Sequence, residues 1–331
     1  MAFSTRRTAC MKSRSVSVTG ATGFLGWHLS EAFRDAGWRV RAIVRPGNRK
    51  ALPDGVEIVE APLENAALSA AIAGTDLLVH SAALIRARST AEIDRVNVEG
   101  TRAAVDAANS VGARLLFISS QAAIGPSRSA TGSREDDSPR PLTAYGRSKL
   151  AAEALVRSEA RGPWTIVRPS AVYGPRDVGF LPLFRLASRG IFLMAAPASM
   201  PFTFIHADDV VRAIIAAATD DRAAGQTFFL GHPEPQTADD LMRGLAQAFG
   251  QTYRPLKVPA PFVRVAGLAG DVCWKIGVRP IVDSSRAAEM RAEGFVCAVD
   301  RIRDRIGFKA SMSLREGLAS TARWYRERGW V

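Results

Sequence analysis

Short apolar runs alternate with helix-like stretches along the first two thirds of the chain. Residues 15–19 (SVSVT) alternate small polar residues with valine, which is typical of a β-strand. Further short apolar runs predict strands at 39–44, 56–59, 77–80, 115–119, 164–168 and 227–230. Helical stretches are predicted between them at 26–36, 65–72 and 92–110. Strands that alternate with helices in this way predict an α/β fold built on a parallel, doubly wound sheet.

The pattern changes after residue 173, where prolines punctuate 175–201 and 255–280 and no repeat is present. We expect a smaller, partly helical region there, which covers the main domain and binds the substrate. The predicted division is a basic, disordered extension at 1–14, the main α/β domain at 15–174 with 203–231 returning to it, and a substrate region made of 175–202 and 232–331.

Three glycines, Gly20, Gly23 and Gly26, lie between the first predicted strand and the first predicted helix, in the segment VTGATGFLG. At such a turn the backbone approaches a phosphate closely, and a side chain would block that approach. The helix that follows contributes N–H donors and a partial positive charge at its N-terminus. The strand–turn–helix context therefore predicts a Rossmann-type dinucleotide site formed by Gly20, Thr22, Gly23, Phe24, Leu25 and Gly26. It is not a P-loop, because no Gly-Lys-Ser/Thr sequence follows.

The second predicted strand ends in IVRPGNR, which places Arg45 and Arg49 where many dinucleotide sites carry a carboxylate. An acidic side chain there binds the ribose 2′-hydroxyl and repels a 2′-phosphate, and we expect no acid within reach of this strand end. Arginine instead suits a phosphate through paired, charge-assisted donors. The arginines therefore favour NADP over NAD; the alternative is that they are solvated surface residues of an arginine-rich chain.

The segment TAYGRSKLAAEAL places Tyr145 and Lys149 four residues apart in a helical stretch, so both side chains share one face. A free phenol ionises near about pH 10, which is too high for proton exchange at neutral pH. A nearby ammonium group and a nicotinamide cation favour the phenolate, which lets a tyrosine act as a general acid or base. Two exposed helix residues are the alternative, but the dinucleotide turn upstream favours the catalytic interpretation.

The order of these and other motifs resembles the extended short-chain dehydrogenase/reductase family over nearly the whole chain. The segments that carry the resemblance are TGATGFLG, HSAA, VNVEGT, FISSQAAIG, YGRSK, RPSAVYGP, FIHADDV and WYRERGW. The first of them is most similar to the branch of dihydroflavonol reductases and 3β-hydroxysteroid dehydrogenases. The resemblance implies further cofactor contacts from Ser81, Ala82, Ala83, Lys149 and Pro169.

The resemblance also implies roles for four residues of a reaction centre. Ser120 is expected to hydrogen-bond the substrate oxygen, and Tyr145 to exchange its proton. Lys149 is expected to orient the ribose and to lower the pKa of Tyr145. Asn97 occupies the position of a helix asparagine, which supports either a water relay or only the bend of the helix. Ser119 is the alternative to Ser120, but the second serine of the pair aligns better with the family site.

An apolar lining is predicted for the substrate site, which suits a carbonyl on a hydrophobic body. The predicted substrate contacts are Leu84, Ile85, Gln121, Ile124, Tyr173, Phe180 and Phe202, with Leu181 and Met194 as further candidates, and some of this set must be ordinary core. Ala171 stands where many nucleotide-sugar enzymes of the family carry an asparagine for the substrate pyrophosphate. Pro62 and Leu63 stand where the family often has an aspartate, so adenine is expected to rest on backbone and apolar contacts.

These features favour an NADP-dependent oxidoreductase that interconverts a hydrophobic ketone or aldehyde and its alcohol. Hydride would pass between the nicotinamide and the carbonyl carbon while the tyrosine handles the proton. Two alternatives stay open: a nucleotide-sugar epimerase or dehydratase that retains NAD, and a non-catalytic dinucleotide sensor. Many relatives dimerise through helices that flank the tyrosine, so the resemblance also implies a possible homodimer.

Composition narrows the partners and the compartment. The chain has 331 residues, a net charge of +12 and three cysteines without paired spacing, Cys10, Cys273 and Cys297. Such cysteines, and the lack of an apolar segment after Met1, favour a cytoplasmic protein without a signal peptide. Scattered arginines without a recognition-helix or zinc-finger pattern argue against a nucleic-acid partner. The most apolar stretch, 258–277, is interrupted by prolines and charges, so no membrane span is expected.

Two further kinds of site are not expected. His206, Asp208 and Asp209 lie close together in FIHADDV, but Asp208 is more simply the N-cap of a helix than a metal ligand. No metal is therefore predicted. The chain has no G-x-S-x-G elbow and no serine or cysteine in a partner pattern with its histidines, which argues against a hydrolase.

Overall fold

The computed structural model describes residues 14–48, 50–127, 131–275, 278, 280 and 282–331. The strands in these ranges are β1 Ser15–Thr19, β2 Arg39–Val44, β3 Glu57–Glu60, β4 Leu77–His80, β5 Arg114–Ile118, β6 Trp164–Pro169, β7 Ala171–Tyr173, β8 Phe192–Met194, β9 Pro201–Phe202, β10 Phe204–His206, β11 Gln226–Leu230, β12 Gln236–Thr237 and β13 Pro255–Lys257. The helices are α1 Phe24–Asp35, α2 Asn65–Ala71, α3 Thr90–Asp94, α4 Gly100–Val111, α5 Ala144–Glu159, α6 Leu181–Ser188, α7 Ala207–Thr219, α8 Ala238–Phe249, α9 Ala260–Lys275, α10 Ser284–Glu289, α11 Asp300–Ile306 and α12 Leu314–Glu327.

Seven strands form one parallel sheet in the order β11-β6-β5-β4-β1-β2-β3, which confirms the predicted α/β fold. The chain runs outward from β1 to β3 at one edge and then crosses back to β4 on the other side of β1. Ligands of open α/β sheets bind outside the carboxyl ends of the strands at such a switch of direction. The fold therefore directs attention to the ends of β1 and β4.

Helices cover both faces of this sheet with separate apolar clusters. On one face Leu29 and Phe33 of α1 join Ile214 of α7 in a buried cluster that includes Phe228 of β11. The cluster on the other face is formed by residues of α2, α4, α5 and the strands, among them Leu68, Val105, Phe117, Val156 and Ile166. Because both faces are covered, the central strands β1, β4, β5 and β6 are buried along nearly their whole length, as strands of parallel sheets are.

A second region packs its own core beside the sheet. Its buried cluster is formed by residues of α6, α8, α12 and the short strands, among them Tyr173, Phe184, Phe192, Leu245 and Tyr325. Capping boxes begin α8 at Thr237 and α12 at Ser313, which fixes where both helices start. This part of the chain is largely helical, as the sequence predicts.

The structure differs from the predicted elements in two places that matter for the site. The stretch predicted as one helix at 92–110 is α3 and α4 joined by a π-helical turn, Arg95–Glu99. In the returning segment, β11 pairs with β6 of the main sheet, whereas β10 pairs with β7 in a separate two-stranded sheet. The other predicted strands and helices lie within about two residues of their observed ends, the usual scatter of such assignments.

Residues 1–13 of the predicted basic extension lie outside the described residues. Within the described part, no helix has the length and apolar character needed to cross a membrane.

Candidate active site

The turn between β1 and α1 is shaped by close backbone packing that only glycine allows. Gly20 has φ +69°, and a Cβ there would lie 2.7 Å from Cα of Ala82. A Cβ on Gly26 would lie 2.1 Å from the carbonyl oxygen of Gly20, so the first turn of α1 lies directly on the loop. α1 begins at Phe24 with Gly23 at its N-cap, and no side chain caps its first N–H groups. Those N–H groups are left for an anionic ligand, so the cradle fits the phosphates of a dinucleotide.

A hydrogen-bonded network ties this turn to the end of β4. Oγ1 of Thr19 lies 2.8 Å from Nδ1 of His80 and accepts a hydrogen bond from the N–H of Ala82 at 3.3 Å. Nε2 of His80 lies 3.2 Å from Oγ1 of Thr101, and burial lowers the pKa of His80 to about 3. A neutral, fixed imidazole thus holds the loop 81–83 against the glycine turn. The structure therefore brings the predicted cofactor contacts after β4 together with the glycines.

The end of β2 presents the predicted cation. Arg45 is exposed directly after the strand, and Arg49 lies outside the described residues. Nδ2 of Asn48 donates to Oγ1 of Thr22 at 3.0 Å, which fastens the β2–β3 connection to the glycine turn. The guanidinium of Arg45 therefore belongs to a segment that is held beside the predicted phosphate cradle.

The expectation that no acid lies near this strand end is wrong. The register of β2 and β3 pairs Val44 with Glu60, which places the Glu60 backbone beside the end of β2. Oε2 of Glu60 accepts a hydrogen bond from the N–H of Gly47 at 3.2 Å. Sequence reasoning missed this carboxylate because it belongs to another strand, and the register between strands is not visible in the sequence.

Helix α5 carries the predicted tyrosine and lysine. It begins after Thr143, whose Oγ1 accepts a hydrogen bond from the N–H of Gly146 at 3.0 Å. A Cβ on Gly146 would lie 2.3 Å from the carbonyl oxygen of Ala122, so the first turn of α5 packs tightly on the turn after β5. Tyr145 lies on this first turn and Ser120 begins the opposing turn, so the two side chains are close enough for Ser120 to lower the pKa of the phenol.

Burial sets the protonation of this group of side chains. It raises the pKa of Tyr145 to about 12, while the hydrogen bond with Ser120 acts in the opposite direction and the charge of Glu289 raises the pKa further. Burial also lowers the pKa of Lys149 to about 7, against a raising effect of Glu153. Desolvation is the largest influence on the pKa of Tyr145 in the protein alone, and the expected lowering, which involves the nicotinamide cation, stays a prediction. At neutral pH the phenol is protonated.

Lys149 lies at the floor of the site. Its side chain is 1% exposed, and its Nζ lies 4.2 Å from the centroid of the Phe117 ring. Phe117 in turn stacks on His80 with 5.8 Å between the ring centroids. Lys149 therefore stands at the same edge of the sheet as Thr19 and the glycine turn.

The two serines after β5 have different surroundings. Ser119 is buried and donates to Oε1 of Glu153 at 2.6 Å. Glu153 also accepts hydrogen bonds of 2.8 and 2.7 Å from Arg168, in a buried ion pair. Ser120 caps the turn that follows β5 and faces Tyr145. This geometry favours Ser120, since the hydroxyl of Ser119 is committed to the ion pair.

Sequence reasoning missed the role of Glu153. It follows Lys149 by one helical turn in YGRSKLAAE and shares its face, which is the signal that could have revealed it. Its buried pair with Arg168 fixes α5 against the end of β6, where the predicted cofactor contact Pro169 is buried and in register with Leu230. Removing one partner of such a buried pair is strongly destabilising.

Asn97 lies in the π-helical turn and uses its amide on protein partners. Its Oδ1 accepts from the N–H of Leu84 at 2.7 Å, and its Nδ2 donates to the carbonyl oxygen of Leu84 and to Oγ of Ser148, both at 2.9 Å. It therefore clamps the segment after β4 to α5. Of the two roles that were open for this residue, the geometry favours support of the bent helix.

The predicted apolar lining divides between core and surface. Five members belong to the core of the second region or pack on its edge: Tyr173, Phe180, Leu181, Met194 and Phe202. Ile124 is buried against Phe229 and Cys297. Ile85, by contrast, is 65% exposed. A continuous lining by this set is therefore not supported, because packing accounts for the apolar character of most of it.

Gln121 differs from the rest of the predicted lining. It follows Ser120 directly and is 4% exposed, yet its buried Nε2 finds no acceptor among the described residues. A buried donor without a partner costs free energy unless a ligand or water satisfies it. This orphaned amide beside Ser120 supports the prediction that Gln121 contacts a ligand.

Two segments near the reaction centre line an open cavity of about 510 Å³, which we call the outer cavity. Its lining residues are Pro126, Ser127, Arg140 and Leu142 from the segment before α5, and Ala288, Arg291, Ala292 and Glu293 from the end of α10 and the residues after it. Sequence reasoning missed this second segment, since α10 lies far along the chain and carries no motif.

Helix α10 brings charges to the same place. Oδ2 of Asp283 lies 3.1 Å from Nε of Arg86 in an ion pair between α10 and the segment after β4. Burial raises the pKa of Glu289 and lowers that of Arg286, while attraction between the two acts in the opposite sense on both. Helix α10 therefore brings charged groups to the reaction centre.

The FIHADDV segment is structural in this fold. The N-cap of α7 is His206 rather than the predicted Asp208, and its side chain accepts a hydrogen bond from the N–H of Asp208 at 3.3 Å. Asp209 accepts hydrogen bonds from the N–H groups of Ser311 and Met312 at 2.9 and 2.8 Å, which ties α7 to the C-terminal segment. No group of three or more metal-ligating side chains is found within the described ranges.

The sequence is similar to a known protein family and to individual proteins. Residues 16–231 match the model of the NAD dependent epimerase/dehydratase family. A ceramide reductase of Caulobacter vibrioides is 32% identical over 320 residues, which cover 96% of this chain and 96% of that protein. A 4-hydroxy-2-methyl-3-oxo-4-farnesyl-3,4-dihydroquinoline-1-oxide ketoreductase of Stigmatella aurantiaca is 28% identical, with 91% of this chain and 93% of that protein covered.

Solved structures with the same fold include a nucleotide-sugar complex. MoeE5 in complex with UDP-glucose and NAD superposes with a TM-score of 0.76 at 27% identity, covering 95% of this chain and 99% of that one. The matched relatives thus include proteins named as reductases and one solved with a sugar nucleotide.

Proposed function

Since the chain belongs to the NAD dependent epimerase/dehydratase family, we propose that it is an NADP-dependent oxidoreductase that interconverts a ketone or aldehyde and an alcohol on a hydrophobic small molecule. The observation that carries the proposal is the packing of the first turn of α5 on the turn after β5, which brings Tyr145 next to Ser120, with Lys149 one turn further along α5. All three stand at the carboxyl edge of the sheet, beside a glycine cradle that fits a dinucleotide.

Each of these side chains has a defined task in the proposed reaction. The hydroxyls of Ser120 and Tyr145 hydrogen-bond the carbonyl oxygen, which polarises the carbonyl group. When bound, the nicotinamide dinucleotide supplies hydride to the carbonyl carbon or accepts it from the alcohol. Tyr145 is protonated at neutral pH because burial raises its pKa to about 12, so it begins a reduction as the proton donor. One hydride and one proton convert the carbonyl to the alcohol, and Tyr145 takes the proton back in oxidation.

The preference for NADP rests on the end of β2. Arg45 is exposed there, on a connection that Asn48 fastens to Thr22 of the glycine turn. Arginine donors suit a 2′-phosphate. Glu60 opposes this preference, but its carboxylate already accepts a hydrogen bond from the N–H of Gly47. On balance the cation at the strand end favours the phosphorylated cofactor.

The substrate proposed is a carbonyl compound with a long apolar body. Two relatives carry reductase names that refer to such molecules, a ceramide and a farnesyl-bearing quinoline. The position two residues after β6 is Ala171 rather than a residue with an amide side chain, so its side chain offers no donor to a pyrophosphate. The orphaned amide of Gln121 beside Ser120 would bind a polar group near the reacting carbon.

A second candidate is a nucleotide-sugar epimerase or dehydratase, which the likeness to MoeE5 with UDP-glucose favours. This activity would leave NAD bound and show no net consumption of cofactor. The outer cavity carries Arg140 and Arg291, whose charges suit a diphosphate. UDP-sugars should therefore be included among the substrates that are assayed.

The assembly and compartment proposed are a homodimer in the cytoplasm. A groove of about 460 Å³ runs along the helices that flank Tyr145, lined among others by Val98, Ala144, Arg147 and Ala151. Reduced cysteines fit that compartment, since Cys273 and Cys297 are both free thiols in the structure.

The proposed reaction is tested by NADPH consumption with a panel of long-chain ketones and aldehydes. Tyr145→Phe removes the proton donor, so kcat should fall by about a hundredfold to ten-thousandfold. Tyr253→Phe is the matched control, because it removes a phenol that hydrogen-bonds Asp239 in the second region, at 2.5 Å, away from the reaction centre. Unchanged turnover in Tyr145→Phe would refute the catalytic role. Conversion of UDP-sugars without net NADPH use would favour the second candidate, and tight NADPH binding without any turnover would indicate a sensor.

A further inference from the structure

Helix α9 exposes a continuous apolar side. Phe262, Val265, Leu268 and Val272 are 68%, 66%, 65% and 58% exposed, and we call these four residues the α9 face. Their spacing of three, three and four residues places them on one side of the helix. Scattered single apolar residues are ordinary on a protein surface, but a contiguous patch of this kind marks an interaction site. The same stretch is the most apolar of the sequence.

The opposite side of α9 is fixed against the protein. A Cβ on Gly267 would lie 3.1 Å from Cβ of Ala287, and a Cβ on Gly270 would lie 2.0 Å from the carbonyl oxygen of Val282. Val263 on the same side is 4% exposed. Because backbone lies against backbone here, the helix cannot turn its apolar side inward without losing this contact. The α9 face is therefore held outward by the fold.

The charges around the α9 face are mostly positive. Arg254 and Lys257 precede the helix, Arg264 lies on it, and all three are exposed. The acid of the helix, Asp271, lies two turns after Arg264 on the same side, and its carboxylate is turned towards α10, where it accepts a hydrogen bond from the N–H of Ser284 at 3.1 Å. An apolar helix face with a basic rim is the pattern of a helix that lies in the interface of an anionic membrane.

We propose that the α9 face docks this protein on the surface of an anionic lipid bilayer, with α9 lying in the plane of the interface. The apolar residues enter the boundary between headgroups and acyl chains, and the basic rim meets the headgroup phosphates. A net charge of +12 on the chain adds a long-range attraction to such a surface. The helix has 16 residues and interrupting charges, so it lies on the membrane rather than crossing it.

A second copy of the chain fits this face less well than a bilayer does. In a symmetric dimer each α9 face would meet its own equivalent, so the cations of the rim would face one another. Like charges brought together at an interface oppose association. No acidic patch borders the α9 face in the described residues of the helix to offset this repulsion.

The docked helix would stand next to the reaction centre. α9 packs on α10 through Gly267 and Ala287, and Ala288 lines the outer cavity. Glu289 follows directly and acts on Tyr145. Helix α10 would then lie between the bilayer and the outer cavity, which gives an apolar substrate a short path from one to the other. This purpose rests on the proposed function, whereas the docking itself does not.

Membrane docking is tested by flotation of the full chain with vesicles, without any substrate. Vesicles of phosphatidylcholine with phosphatidylglycerol should bind it at least about tenfold more tightly than phosphatidylcholine alone, and salt should weaken the binding. Leu268→Ser should lower the partition coefficient by about tenfold. Ile58→Ser is the matched control, because Ile58 is 58% exposed on edge strand β3 and should leave binding unchanged.

Three results would overturn the proposal: no binding to the anionic vesicles, equal binding by Leu268→Ser and the unaltered chain, or loss of binding in Ile58→Ser as well. A change of oligomeric state in Leu268→Ser at unchanged vesicle binding would assign the face to a second copy instead. Turnover of a short, water-soluble ketone is measured in parallel with vesicle binding. Failure of that turnover alone would count against the proposed function and leave the docking intact.

Discussion

The cofactor side of the molecule and the helices that cover it are held by different means. At the glycine turn, β1, α1 and the loop after β4 meet through backbone contacts within a short stretch of chain, and each contact requires a specific residue type. The cover is made of α9 and α10, which join the site from far along the chain through an ion pair between Arg86 and Asp283 and through charges near Tyr145.

Because of this difference, the two parts tolerate residue substitutions to different degrees. Backbone packing without space for a side chain admits almost no substitution, so the glycine turn is fixed in sequence and in shape. Long-range charge acts over several ångströms and declines gradually, so the cover can change its residues and adjust the site by degrees. We expect the first part to determine whether the cofactor binds, and the second to tune the reaction and choose the substrate.

The sharpest way to break the comparison is Gly26→Ala. Its Cβ would lie 2.1 Å from the carbonyl oxygen of Gly20, so the turn must distort or α1 must move. Strain of about 3 kcal/mol would weaken cofactor binding by about a hundredfold, measured by fluorescence titration with NADPH. Gly162→Ala is the control, because its Cβ would lie 3.6 Å from the Ala113 carbonyl oxygen, in ordinary van der Waals contact. Equal affinity of both variants would contradict the cradle.

Lys149→Met tests the buried amine through stability. Burial lowers the folded pKa of Lys149 from 10.5 to about 7, so below pH 7 both states bind the proton and the full burial penalty applies. Between these values the unfolded state binds more protons, and the stability of the unaltered protein rises by up to about 1.4 kcal/mol per pH unit. The variant lacks this pH-dependent contribution to the unfolding free energy. Its advantage in unfolding free energy near pH 7 should therefore shrink towards pH 10, and a constant difference would contradict the lowered pKa.

Arg45→Asp sharpens the cofactor side further. The new carboxylate repels a 2′-phosphate and accepts a hydrogen bond from a ribose hydroxyl. KM for NADPH should rise by about tenfold and KM for NADH should fall. Arg39→Asp, at the start of the same strand, is the control and should leave the ratio of the two unchanged. A preference for NADH in the unaltered protein would show that Glu60, rather than Arg45, determines the cofactor.

The smallest effect is expected from the cover, in Glu289→Gln. The charge of Glu289 raises the pKa of Tyr145, so its removal lowers that pKa. Alcohol oxidation needs the phenolate, and the rise of kcat/KM with pH should therefore move to lower pH by less than about one unit. Glu293→Gln removes a neighbouring carboxylate, which lines the outer cavity, and serves as the control. An identical shift in both variants would mean that α10 acts by general charge rather than through Glu289.

The sequence predicts the cofactor side well and the cover poorly, for a physical reason. Gly20, Gly26, Tyr145 and Lys149 owe their positions to strand, turn and helix periodicity, which are local properties of the chain. Glu60 reaches the end of β2 only through strand register, and residues of α10 reach the outer cavity only through tertiary packing. Neither strand register nor tertiary packing can be recognised from a short window of sequence.

The apolar residues of the second region show the opposite error. Tyr173, Leu181 and Met194 are apolar and near the site in the chain, which made them candidates for a substrate lining, yet they form the core beneath it. Hydrophobic character alone does not distinguish a wall that faces a ligand from one that faces another helix. The orphaned amide of Gln121 is the more informative sign, because burial without a partner appears only in the structure.

Gly267 and Gly270 leave no gap between α9 and α10. Helices in such close contact have no intervening layer of side chains that could adjust to relative movement. A displacement of α9 would therefore displace α10 as well. The carboxylate of Glu289 sits at the far end of that coupled pair. Force applied to α9 at the protein surface would thus shift the carboxylate that acts on the phenol of Tyr145, without any rearrangement of the sheet.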